Sequence, residues 1–189
     1  MAIYHLKHAS VGRSTHAAGT AGAHVSYITR TGACREVIGS DMPVPAAGER
    51  GGEARAWLDR QEEADRKNAR VIDKVPIALP RELNAVQRVE LVRAFAAEVT
   101  QGRVAWLAAV HDQGKDADNP HAHVVLRDRD LQTGKMALRM SQSGSTEMLR
   151  GTWERVCNAA LERAGMDERI DRRTLEAQGI ERIPTCLLY

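Results

Sequence analysis

Residues 103–128 read RVAWLAAVHDQGKDADNPHAHVVLRD. Two apolar runs, 103–111 and 121–128, flank a polar loop rich in Gly, Asp, Asn and Pro. Each run is short enough for a central strand, and the loop between them predicts an antiparallel hairpin. The same stretch holds three of the chain's seven histidines. Residues two apart in a strand point to one face, roughly 7 Å apart, so the rings of His121 and His123 can converge. His111 ends the preceding strand, and a hairpin returns that end beside the start of the next. Pro120 fixes its own φ and restrains Asn119, which sets the path into the pair.

Three imidazoles about 2.0–2.1 Å from one divalent cation is an accessible geometry for this arrangement, and it leaves coordination positions open for a substrate oxygen. All-imidazole ligation favours later transition metals, but the strand pattern does not separate zinc from magnesium or manganese.

Outward from the hairpin, residues 3–8 alternate as a strand, and 16–30 carry helical spacing with Ala17, Ala21, Val25 and Ile28 on one stripe. The Gly- and Pro-rich segment 39–52 reads as a loop. A charged helix anchored by Trp57 and Leu58 is expected over 53–70, then a strand over 71–80 whose Pro76 argues for an edge or a bulge. Asn84, with Gln87 three residues on, predicts a capped helix with a stripe of Val86, Val89, Val92, Ala96 and Val99, stopped at Gly102. A long helix over 145–164 turns Leu149, Trp153, Val156 and Ala160 inward and stops at Gly165. A short helix is expected over 171–178. The order β, α, α, β, α, β, β, α, α suggests an α/β fold with a mainly antiparallel central sheet covered by helices on one side.

At 189 residues the chain fits one domain, and with 43% apolar and 28% charged residues it reads as globular. There is no run of eighteen apolar residues and no signal-peptide layout, so a cytoplasmic protein without membrane insertion is expected. Cys34, Cys157 and Cys186 are scattered and read as reduced thiols. The net charge of +2 identifies no partner.

Tyr27 lies off the apolar stripe of its helix, with Thr20, Ala23 and His24, and is therefore expected to be exposed. Gly19 and Gly22 leave room around it for something large to approach. A phenol suits reversible phosphoryl transfer, because it attacks a phosphodiester and leaves again more readily than an alkoxide. Its ordinary pKa of about 10 requires a base or a nearby cation.

Five blocks in matching order then carry a resemblance: MAIYHLK followed by GRS, the helical tyrosine, ALPREL at 78–83, NPHAH at 119–123 and DRRTLEAQGIERIP at 171–184. Together they resemble MobA/MobL-type (MobQ) plasmid relaxases of the HUH endonuclease class. The resemblance implies a relaxase domain over 1–184, with an HUH palm related to the ferredoxin-like split βαβ. Residues 185–189 would be an artificial end or a divergent tail. It implies a site- and strand-specific nickase and ligase acting at a transfer origin, oriT, with Tyr27 as nucleophile, a 5′-phosphotyrosyl DNA adduct and a free 3′ hydroxyl. His111, His121 and His123 would hold one divalent ion, Mg²⁺ or Mn²⁺, with Zn²⁺ or Ni²⁺ as substitutes in vitro. The implied partners are single-stranded oriT DNA with an adjacent hairpin, an accessory relaxosome protein and a type IV secretion coupling protein.

Relatives often carry acidic residues on the strand leading into ALP, where this chain has Lys74 and Pro76. Asp73 is the remaining candidate to orient a ligand histidine. His24 is a candidate proton acceptor, and Arg13, Arg30, Arg127 and Arg129 are candidate contacts to the DNA backbone. The alternatives are a rolling-circle replication initiator of the same class, a three-histidine zinc hydrolase unrelated to DNA, and a DNA-binding module with a structural ion.

Overall fold

The structure is a computed structural model describing residues 4–174 and 176–180. The predicted hairpin is its centre. Val104–His111 (β4) and His121–Asp130 (β5) pair antiparallel, with His111 directly opposite His121. Arg70–Ala78 (β3) adds to β5 and Ala9–Gly12 (β1) to β3, while Cys34–Ser40 (β2) flanks β4, giving the order β1-β3-β5-β4-β2. The pairings between these five strands are all antiparallel.

Among the described residues, four α-helices cover both faces, not the one face expected. Thr20–Ile28 (α1) and Gly52–Ala64 (α2) pack on one; Ala85–Thr100 (α3) and Ser145–Arg163 (α4) pack on the other. The alternation along the central strands explains why both faces need cover. On β4, Trp106, Ala108 and Val110 join the α3/α4 core, whereas Ala105, Leu107 and Ala109 join the α1/α2 core. A strand apolar on both faces has to be buried on both.

Local signals account for the helix ends. Asn84 and Gln87 form both bonds of the capping box, at 3.0 and 2.9 Å. Val92 and Ala96 of the α3 stripe are buried, but Val86 is 67% exposed, since it stands in the first turn beyond the core edge. All four residues predicted to face inward from α4 are buried, with Trp153 stacked edge-on against Phe95 at 5.3 Å.

Three expectations need correction. The segment CREVIGS forms β2, which the pattern hid because a register shift between Cys34 and Glu36 breaks its alternation. Residues 176–179 form a turn, not a helix. Pro76 sits in β3, an interior strand. Lys7 donates its N–H to the Pro76 carbonyl at 3.1 Å, and proline has no N–H to return. The bridge Leu6↔Ile77 shares the β1–β3 register, so the N-terminal strand continues past Pro76 with one bond missing. Cys34 and Cys157 are buried free thiols. Residue 175 and residues 181–189, including Cys186, lie outside the described residues. No helix among the described residues is long and apolar enough to cross a membrane.

Candidate metal centre and nucleophile

Cross-strand partners in a sheet share a face. His111, His121 and His123 therefore all project on the α1/α2 side, at one end of the central hairpin. Their ring centroids are 4.8 to 5.1 Å apart, and one ligand atom from each lies within 4.8 Å of the others. His111 and His121 are buried, and His123 is half-buried.

Backbone carbonyls fix two of the rings. His111 Nε2 lies 2.6 Å from the Ile28 carbonyl, and His121 Nδ1 lies 2.9 Å from the Asn119 carbonyl. A carbonyl only accepts, so each of those nitrogens carries the proton and the opposite nitrogen keeps its lone pair for an ion. Burial pushes His123 down to about 2, with its histidine neighbours and Arg30 adding to the shift. Burial also lowers His111, against the bond to Ile28, which raises it. Neutral, oriented nitrogen donors are what a divalent transition ion requires, so the donor set fits one.

Protons compete with an ion for an imidazole only below that ring's pKa, and two of these three are depressed. Mn²⁺ affinity should therefore fall less steeply from pH 7 to 5 than the up to about thousandfold per unit that three ordinary histidines would cost. Calorimetric titration at pH 7, 6 and 5 checks this, and a loss of that steepness contradicts it.

Helix α1 lies over this centre. Its Ile28 carbonyl meets His111, and its His24 ring stands edge-on to His123 at 6.3 Å. Residues 24, 27 and 28 are helical neighbours, so Tyr27 belongs to the turn that touches the triad. Tyr27 is 59% exposed, while Ala21, Val25 and Ile28 are fully buried. The Arg30 guanidinium lies 4.0 Å over its ring. Arg30 is also close enough to His111 and His123 to lower both.

The small residues of α1 serve packing. A Cβ on Gly22 would meet Asp59 at 2.7 Å and Arg55 at 2.8 Å, so the glycine lets α1 and α2 approach each other and opens no path beside Tyr27. His24 is pushed down to about 4 by burial, with Lys74 adding to it. An imidazole so reluctant to be protonated is a poor general base near pH 7. Its position in the cleft, and not proton storage, is what the geometry supports.

Asp73 is not part of the centre. It pairs with Leu126, which belongs to the α3/α4 core, so its side chain is on the opposite face of the sheet. There it binds His8 at 2.8 Å and Arg70 at 2.8 Å, and His8 in turn meets Thr146 at 3.0 Å. The residue that shares the histidine face is its neighbour Lys74, paired with Val125. Strand parity could have located it once the register of β3 against β5 was known. Asp116, 3.8 Å from His111 Nδ1, was also missed, because a loop carries no periodic signal.

Three of the four arginines proposed for DNA contact are engaged elsewhere. Arg127 is 4% exposed and makes a bidentate pair with Asp65, at 3.0 Å on both arms. Arg129 Nε reaches the same carboxylate at 3.4 Å, and Arg13 binds the Asp65 carbonyl. They tie β5 and the β1 end to the C-terminus of α2. Asp65→Ala would strand Arg127 as a buried unpaired charge and should cost about 3–5 kcal/mol in denaturant unfolding. A cost under about 1 kcal/mol would mark the cluster as solvated. Arg30, stacked on Tyr27, keeps its place beside the site.

A family model described as the MobA/MobL family matches residues 20–188. Mobilization protein A of Escherichia coli is 33% identical over 97% of this chain, which spans only 29% of that protein's length. Among solved structures, one described as the molecular basis of vancomycin resistance transfer in Staphylococcus aureus superposes with a TM-score of 0.68. Its identity is 19%, covering 92% of this chain and 100% of that one. The conjugative relaxase TrwC, in complex with oriT DNA and metal-free, superposes with a TM-score of 0.59 at 14% identity, covering 88% of this chain and 72% of its own. At such identities the structures establish a shared fold.

Proposed function

The chain belongs to the MobA/MobL family, and from that premise we propose that it is the relaxase domain of a plasmid mobilisation protein, nicking and rejoining one DNA strand at a transfer origin. One observation carries this reading. Three converging histidines, two of them oriented by carbonyls, lie beneath a helix that presents an exposed tyrosine. TrwC, which shares the fold, is a conjugative relaxase solved with oriT DNA, and this supports the substrate class.

In the proposed reaction Tyr27 Oη attacks a phosphodiester. The tyrosyl O–P bond forms as the P–O3′ bond breaks, the phenolic proton leaves to water at the exposed face, and the departing 3′ oxygen takes up a proton. The result is a 5′-phosphotyrosyl adduct and a free 3′ hydroxyl; the reverse reaction rejoins the strand. A divalent ion held by His111, His121 and His123 would polarise a phosphate oxygen and orient it in line with the attack. Mg²⁺ or Mn²⁺ is proposed for that place. Arg30 holds the Tyr27 ring by stacking and adds positive charge where the transition state gathers negative charge.

Tyr27 is also the better of the two described tyrosines. Tyr4 packs against the α3/α4 core with its hydroxyl buried, and burial pushes its pKa above the usual phenol value. Labelled single-stranded DNA spanning the transfer origin, incubated with Mn²⁺ or with EDTA and run under denaturing conditions, tests the proposal. A shifted covalent band with Mn²⁺ and none with EDTA is expected. Metal-dependent hydrolysis with no covalent band would instead support the zinc-hydrolase alternative.

A further inference from the structure

A cleft of about 200 Å³ opens beside His123, lined by Lys7, Lys74, His24 and Pro76 among others, and among the described residues no carboxylate lines it. The sheet register builds it. Lys7 is bonded to Pro76, which pairs with His123, so these three stand in one row across β3, β5 and the segment leading into β1. Lys74 belongs to the next row, opposite Val125, and so is diagonal to His123 at about 7–8 Å between backbones. Pro76 supplies a small apolar floor between the two ammonium groups. Among the described residues neither lysine makes an ion pair. Asp116, whose carboxylate lies 3.8 Å from His111 Nδ1, does not line this cleft.

The charge arrangement calls for an anion. Three imidazoles bring no negative charge, so an ion they hold keeps its own, and two lysines next to it add repulsion that only an incoming anion relieves. We propose that Lys7 and Lys74 form a phosphate subsite of the three-histidine centre, receiving a phosphodiester of the bound strand next to the one that Tyr27 attacks. This rests on the reading of the chain as a single-strand nickase. Lysine suits the task as a point charge on a flexible stem that can follow a backbone of any sequence. It follows that ion and DNA each strengthen the other's binding, because the phosphate relieves the repulsion between the ion and the two lysines, and linkage makes the gain mutual.

Two measurements on the full chain test the subsite. The first is binding of a 12-nucleotide single-stranded DNA without metal, followed by anisotropy between 50 and 200 mM salt. The double variant Lys7→Met, Lys74→Met should lower the salt slope by about 1.4, at roughly 0.7 per lost single-strand contact. Lys135→Met, beyond the far end of β5, should leave it unchanged. The second is Mn²⁺ binding without DNA, which Lys74→Glu should tighten by about tenfold or more. An unchanged slope in the double variant overturns the subsite. A lowered slope with no response of Mn²⁺ to Lys74→Glu also overturns it, by placing the contact away from the histidines. The covalent gel is scored separately: an adduct with an unchanged slope sinks the subsite and leaves the nickase reading standing. Absence of an adduct on origin DNA sinks the nickase reading, whatever the slope.

Discussion

Tyr27→Phe should abolish the covalent DNA adduct while leaving single-strand binding within about twofold. The substitution removes one hydroxyl from a side chain that is 59% exposed, so no buried group loses a partner and the fold should be untouched. The ring remains for Arg30 to stack upon. Only the attacking oxygen is gone, and loss of a nucleophile that forms the covalent intermediate costs on the order of 10³-fold or more. The assay reads adduct yield and anisotropy on the same preparation. Undiminished adduct would put the nucleophile elsewhere. Loss of binding together with adduct would give Tyr27 a recognition role, contrary to the account.

The second large effect concerns the ion. His123→Ala should weaken Mn²⁺ binding by at least about 100-fold, more than the 10–100-fold typical of losing a mere outer partner of a ligand. Adduct formation should fall with it. His123 is the informative choice because its ring contacts are to other rings of the site, whereas His111 and His121 also bond to the backbone carbonyls of Ile28 in α1 and of Asn119. Its loss should therefore leave the thermal midpoint of the ion-free protein nearly unchanged. Wild-type Mn²⁺ affinity in this variant would show that the three rings do not share an ion. Retained Mn²⁺ affinity with lost adduct would assign His123 to the substrate instead.

The sheet centre and the histidine trio were legible because both rest on period-two arithmetic. Alternation assigns the core faces of β4 and β5, and the hairpin turns two sequence-distant histidine positions into neighbours. Tyr27 was legible for the matching helical reason, standing off the stripe of Ala21, Val25 and Ile28. What failed was whatever depends on register between strands far apart in sequence. The face on which Asp73 or Lys74 falls is decided by pairing of β3 with β5, and one residue of slip exchanges them. Arginine clusters failed for a related reason. The sequence LRDRD offers cations, but Asp65, more than sixty residues earlier, determines that Arg127 is consumed inside the molecule. β2 was hidden by its own bulge, and Gly22 looked like open space because the helix it packs against is invisible to local spacing.

The central claim is that the phenolic oxygen of Tyr27 becomes bonded to phosphorus beside the histidine cluster. Proteolysis of the trapped adduct, followed by mass spectrometry of the nucleotide-bearing peptide, reads this directly. The account predicts a single modified peptide, carrying the nucleotide through phosphate on Tyr27. A nucleotide on any other residue, or a nicked strand with no modified peptide at all, would contradict it.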